Sequence, residues 1–128
     1  MTLNRITHEI IGAAIEVHSQ LGPGLLESAY HDCLHYELTH RGIKAEREKE
    51  VPLIYRDVRM ETKFRVDLMV EDRVIVELKA VNEIEDIHIA QVLTYLKLSN
   101  KEVGLLMNFN VGKMTDGIRR LMNKYYVG

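Results

Sequence analysis

Residues 64–79 admit few folds. Phe64-Arg-Val-Asp67-Leu-Met-Val70 is followed by Glu71-Asp72-Arg73 and then by Val74-Ile-Val-Glu77-Leu78-Lys79. Apolar side chains hold positions 64, 66, 68 and 70 on the first arm and 74, 76 and 78 on the second. That is the period-two pattern of a strand pair with one face against a core. The loop of Glu71, Asp72 and Arg73 pairs Val70 with Val74 and, counting back, sets Asp67 opposite Glu77. A loop shorter by one residue would move Asp67 to the other face, because a one-residue slip inverts every side chain. The hydrophobic pattern selects the longer loop, with Val66, Leu68, Val76 and Leu78 on the buried side. The opposite face then carries Asp67, Glu77 and Lys79.

Two carboxylates and an ammonium on one strand pair are costly unless something gathers them. A hard divalent cation would do so, and Mg²⁺ takes one or two carboxylates while keeping several waters. Asp67 and Glu77 are the candidate carboxylate ligands, with the Leu78 carbonyl as an additional one. Lys79 would sit beside a metal-bound water, where it could orient or help deprotonate that water or stabilise charge building on a phosphate. The competing reading is a cross-strand pair on an exposed sheet face, worth ~0.2–1 kcal/mol. D…ExK is short and common, so on its own it leaves both readings open.

The rest of the chain supplies helices and further strands. Apolar positions from about Asn4 to Gln20 recur at helical spacing, and Leu21-Gly22-Pro23-Gly24 breaks the chain. A second helix is expected over Leu25–His40, with Leu26, Tyr30, Leu34 and Leu38 in one stripe and Gly42 as its cap. Lys44–Tyr55 alternates as a strand, and Arg56-Asp57 turns into the arm that carries Asp67. A helix over Glu85–Leu98 presents Ile89, Val92, Leu93 and Leu96, and 103–109 reads as a central strand buried on both sides. A last helix is expected from Met114 to Tyr125. Three antiparallel strands, a helical crossover and a fourth strand make a mixed sheet with helices packed against it.

At 128 residues the chain is expected to be one domain, 1–128, with an ordinary 46% hydrophobic and 28% charged composition. No apolar run approaches a membrane span, and the first residues lack a secretory pattern. The single cysteine, Cys33, excludes an intrachain disulfide framework and favours a reducing cytoplasm. A net charge of −2 does not advertise a nucleic-acid binder. The clusters Arg119, Arg120, Lys124 and Arg41, Lys44, Arg47, Lys49 read by themselves as solvated surface charge.

Several segments together resemble a known family. Gly24-Leu-Leu-Glu27-Ser-Ala-Tyr30 is similar to the GxxExxY motif that names a family within the PD-(D/E)XK nuclease superfamily, and Val17–Gly24 looks like its lead-in. Asp67-Leu68 and Glu77-Leu-Lys79-Ala-Val resemble its metal-binding core. Ile89-Ala-Gln91-Val-Leu-Thr-Tyr95-Leu-Lys97 resembles the Q-x-x-x-Y helix of RecB-like nucleases, and 104–109 the following strand. The resemblance implies a restriction-endonuclease-like α-β-β-β-α-β core, an α/β fold with a mixed sheet flanked by helices. It implies that Glu27 joins Asp67 and Glu77 as a third acidic group and that Gln91 and Tyr95 line the site. Four residues apart on a helix is one face, which supports the last point. The implied activity is Mg²⁺- or Mn²⁺-dependent hydrolysis of nucleic acid, DNA ahead of RNA, with no membrane partner and a homodimer as one open assembly.

Other residues compete for attention. His31-Asp-Cys-Leu-His35 is superficially similar to the H-E-x-x-H zinc motif, but Asp stands for Glu and no third ligand follows. Cys33 has no base placed beside it. His18 either supports the site or caps a packing seam, and His88 is a candidate for the rim. The rival class is a catalytically silent module that keeps the nuclease shape and binds nucleic acid or a protein.

Overall fold

The computed structural model describes residues 1–128. Two helices, α1 (Leu3–Leu21) and α2 (Glu27–His40), precede strands β1 (Ala45–Tyr55), β2 (Val58–Val70) and β3 (Val74–Lys79). Helix α3 (Asp86–Ser99), strand β4 (Val103–Asn108), a 3₁₀ turn (Met114–Gly117) and strand β5 (Ile118–Met122) complete the chain. The strands form one sheet in the order β1-β2-β3-β4-β5. Only β3 and β4 run parallel, joined by the α3 crossover, and every other neighbouring pair is antiparallel. The expected mixed α/β sheet with its α-β-β-β-α-β core is therefore present.

Helices cover both faces of the sheet. On one side Ile6, Ile10, Ala13, Ala14 and Val17 of α1 and Tyr30, Leu34 and Leu38 of α2 pack on Leu68, Val70, Val76 and Leu78. On the other, Val92 and Leu96 of α3 pack on Val51, Val66, Met69, Ile75 and Leu106. The strand pair thus has two greasy faces rather than the expected one. Met69 and Ile75, paired across β2 and β3, were the apolar residues on the supposedly polar face.

The alternation along β2 also changes face. Phe64 and Val66 belong to the α3 side, Leu68 and Val70 to the α1/α2 side. The change falls at Asp67. Across from it lies Glu48, between the pairs Arg47–Leu68 and Lys49–Val66, with φ of 49° in the left-handed region. An L residue there costs of order 1 kcal/mol or more and breaks the pleat locally.

Three further expectations are corrected. Leu26 is not part of the buried α2 stripe; it precedes the first turn and is 80% exposed. Leu93 is partly exposed at 39% rather than buried on the inner face of α3. The last helix, Met114 to Tyr125, is instead a 3₁₀ turn and β5, which pairs Ile118 with Met107 and Met122 with Val103. Ile118 and Leu121 are three apart, a spacing that suits a helix, but β4 would otherwise leave a row of backbone groups unpaired. Gly117 holds the approach: a Cβ there would lie 2.1 Å from the Asn108 carbonyl oxygen, so no other residue fits.

Tyr30 locks the turn between α1 and α2. Its buried hydroxyl donates to the Gly22 carbonyl at 2.7 Å and accepts from the Leu25 N–H at 3.1 Å. Its ring stacks on Phe109, just past β4, at 4.7 Å between centroids. Gly22, at φ 69°, supplies the left-handed step that ends α1. Tyr30→Phe keeps the stacking and strands two backbone groups. It should lower unfolding free energy by about 1–3 kcal/mol in urea melts, without loss of helix by circular dichroism.

Candidate active site

Strands β2 and β3 pair as far as Leu68–Val76 and then part. The next residues, Asp67 and Glu77, would be opposite each other in the register set by Val70–Val74. Instead of exchanging backbone bonds they reach across the gap. Glu77 Oε1 accepts from the Asp67 N–H at 2.9 Å, and Asp67 Oδ2 accepts from the Leu78 N–H at 2.8 Å. Each carboxylate spends one oxygen on the opposite strand and keeps a second for another partner. In an extended strand a residue's N–H and C=O leave from the same side, so the Leu78 carbonyl is turned toward Asp67 as well.

This crossing is held from behind by α2. The Asp67 carbonyl accepts from the His31 Nε2–H at 3.1 Å, and the His35 Nε2–H donates to the Ala45 carbonyl at 3.0 Å. No third His, Cys, Asp or Glu converges with these two imidazoles to hold zinc, which counts against the zinc-motif reading. His18 resolves as a seam residue, its Nε2–H donating to the Val111 carbonyl at 2.8 Å.

Helix α3 closes the other side. Lys79 emerges beside it, and its ammonium donates to Gln91 Oε1 at 3.4 Å. An open cleft of about 380 Å³ is lined by Lys79, Phe64 and the α3 residues Ile87, His88, Gln91, Thr94 and Tyr95. Phe64 tilts against the Tyr95 ring at 5.7 Å, joining β2 to the helix. Gln91 is exposed and bonds Lys79 rather than a buried backbone group. His88 sits on the rim, its Nδ1 accepting from the Glu85 N–H in the α3 capping box.

The electrostatics follow from burial. Glu77 is only 5% exposed, and burial together with the neighbouring Asp67 charge pushes its carboxyl up to about 8. Glu27, exposed at the first turn of α2, is raised by partial desolvation and by Asp67, with Lys79 opposing. Tyr95 is raised by burial and then by the charges of Glu77 and Asp67, so its phenol keeps its proton. All three groups sense Asp67. Yet no three His, Cys, Asp or Glu side chains converge closely enough to form a ready metal cluster. Glu27 is near the pair without joining it.

A divalent cation suits the Asp67–Glu77 pair. Two carboxylates face one gap, one of them held protonated by burial and like charge, and a cation would relieve both penalties. The donors are hard oxygens, the set that Mg²⁺ or Mn²⁺ selects over zinc.

Residues 4–121 match a family model for the PD-(D/E)XK nuclease superfamily. Among solved structures the chain is similar to the crystal structure of SSO0001, with 20% sequence identity and a TM-score of 0.51. That likeness covers 92% of this chain and 65% of the other, and it is a likeness of fold. No curated protein matches the chain. No helix is long and apolar enough to cross a membrane.

A carboxyl whose pKa is higher in the native state keeps its proton after the unfolded chain has lost it. Stability then falls as pH rises through the interval between the two values. For Glu77 that interval runs from the ordinary 4.5 to about 8. Metal-free protein should therefore be less stable at pH 8.5 than at pH 6 by on the order of a few kcal/mol, and melt at lower temperature. Glu77→Gln should flatten that dependence. Differential scanning calorimetry in chelator across this range checks it, and an unchanged slope in the variant would show that Glu77 is not the group responsible.

Proposed function

Because the chain belongs to the PD-(D/E)XK nuclease superfamily, we propose that it hydrolyses phosphodiester bonds of nucleic acid, DNA ahead of RNA, at the Asp67–Glu77–Lys79 cleft. On this reading residues 1–128 act as one nuclease-like domain of the GxxExxY type. The observation that carries the proposal is the crossed pair of carboxylates beside an ammonium at the mouth of a cleft.

Asp67 and Glu77 would hold Mg²⁺ or Mn²⁺, with the Leu78 carbonyl as a further ligand and Glu27 as a third acidic group. When bound, the cation supplies Lewis acidity toward a phosphoryl oxygen and a more acidic water. Glu77 must release its proton to serve as a ligand, so metal affinity should rise with pH up to about 8. Lys79 brings a positive charge to the cleft, where its ammonium donates to Gln91. An ammonium so placed stabilises charge developing on phosphate or orients the attacking water. Tyr95 keeps a phenolic O–H that can donate to a phosphate oxygen. Gln91 aligns Lys79 and is a poorer metal partner than a carboxylate.

One observation favours the silent scaffold. Asp67 and Glu77 already satisfy backbone N–H groups that the ladder leaves unpaired, so they have a structural use without any cation. Titration with Mn²⁺ separates the two readings. A ligand that binds only the native state stabilises by about 2.7 kcal/mol at a hundredfold excess over its dissociation constant. Mn²⁺ should raise the melting temperature of wild type but not of Asp67→Asn, whose amide oxygen can still accept from Leu78.

With Mn²⁺, wild type should cleave single-stranded, duplex or branched DNA, and Lys79→Ala should slow cleavage roughly 10²–10³-fold, the range for losing one preorganised electrostatic group. Absence of both metal binding and cleavage would leave the scaffold reading standing.

Gln91→Ala should reduce cleavage while leaving the Mn²⁺ titration and the melting temperature near wild type, since Gln91 is an exposed residue. A large loss of melting temperature with normal activity per folded molecule would remove it from the site.

A further inference from the structure

The cleft has a neighbour. Thr94 lines both the Lys79 cleft and a second cavity of about 320 Å³, which lies between α3 and the segment after β5. Lys97, Lys124 and Tyr125 are the charged and aromatic members of its wall, with Leu93 and Met122 as the aliphatic ones. The Lys97 ammonium stands 4.5 Å from the Tyr125 ring centroid and that of Lys124 5.3 Å from it. Several other surface cations meet carboxylates, among them Arg47 with Asp32, and Lys63 and Arg65 with Glu50. Lys97 and Lys124 instead share one ring, which gathers two positive charges without neutralising either.

The segment bearing Tyr125 is held in place. Buried Asn123 donates from its side chain to the Leu96 and Lys101 carbonyls, and its Oδ1 accepts from the Tyr125 N–H at 3.0 Å. Tyr125 is 58% exposed. A fixed, accessible aromatic between two unpaired ammonium groups is the combination that single-stranded nucleic acid uses, with phosphates on the cations and a base on the ring.

The path is also continuous. Gln91, Thr94 and Lys97 follow each other along α3, and six residues of helix advance about 9 Å.

We infer that a nucleic-acid strand leaving the Lys79 cleft is held a second time in this cavity. Lys97 and Lys124 bind its phosphates and Tyr125 stacks on an unpaired base. The inference rests on the nuclease reading for the direction of the strand, and it specifies the substrate: DNA or RNA with a single-stranded portion next to the scissile bond. Each lysine leaves the ring for phosphate, and the ring face so exposed receives the base. A duplex, whose bases are already stacked, gains only the phosphate contacts.

The test separates this subsite from catalysis by measuring binding in chelator, where no cleavage occurs. Full-length protein is titrated into a labelled oligothymidylate of about 16 nucleotides, enough for one such site, and into a duplex of equal length. Tyr125→Ala should weaken single-strand binding roughly 5- to 150-fold, the equivalent of about 1–3 kcal/mol for one stacked base. Duplex binding should change little, and Tyr125→Phe should bind as wild type. The double variant Lys97→Ala/Lys124→Ala should reduce the slope of log K against log salt by about 1.4 for the single strand. Thermal melts confirm that each variant is folded. Unchanged single-strand binding in the Tyr125→Ala and double-lysine variants overturns the subsite, whatever the cleavage assay shows. Equal losses for duplex and single strand overturn the stacking. If binding behaves as expected and Mn²⁺ elicits no cleavage, the nuclease reading fails and the binding site stands.

Discussion

The exchange between Asp67 and Glu77 is the point on which the molecule turns. Where β2 and β3 separate, two backbone N–H groups lose their ladder partners, and buried donors without partners are expensive. Each strand answers with a carboxylate that reaches across to the other. The strands can then diverge without an unsatisfied edge, and the divergence brings two acidic groups to one gap. His31 fixes the Asp67 carbonyl from the α2 side, and α3 lies over the opposite face. The acidic pair is thus a seam of the fold and the centre of the candidate site at once.

That double use sets the electrostatics. A carboxylate placed to bridge two strands is buried by them, and burial beside Asp67 holds Glu77 largely protonated at neutral pH. The same field reaches Glu27 and Tyr95, on two different helices. Lys79 is the cation nearest this cluster, and it is drawn toward Gln91 rather than locked onto a carboxylate. The result is a polar centre short of positive charge, a condition that a divalent cation would correct and that an extra hydrogen bond would not.

The two sides of the sheet divide the work. On the α1/α2 side His31 and His35 bond strand backbone, His18 bonds the Val111 carbonyl in the loop after β4, and Tyr30 pins a turn. The α3 side carries the cleft over Lys79 and a second cavity beyond Thr94. Lys97 and Lys124 lie on that side without a carboxylate partner, although the chain as a whole carries a net charge of −2. Net charge therefore said little about the nature of a partner, because it sums over the whole surface while a partner meets only the local arrangement of charge.

Much of this was legible in the chain itself. Alternating apolar residues and the length of the 71–73 loop determined the pairing of Val70 with Val74, and with it the meeting of Asp67 and Glu77, since register follows from a period of two. Helical spacing located α1, α2 and α3, and the motif around Glu27 and Gln91 pointed to the residues near the acidic pair. What the sequence could not decide were choices between equally good local patterns. Residues 114–125 suit a helix by spacing, and only the open edge of β4 and the contact of Gly117 with Asn108 made them a turn and a strand. The change of face at Asp67 depends on the left-handed backbone at Glu48, a residue nineteen positions earlier that meets Asp67 only once β1 and β2 are paired. The company of Tyr125 is the same kind of fact. Lys97 lies on a helix and Tyr125 beyond the last strand, and their contact exists because tertiary packing anchors Asn123 to the end of α3. Local periodicity is written in neighbouring residues, whereas a site assembled from distant segments comes into being only when the core closes.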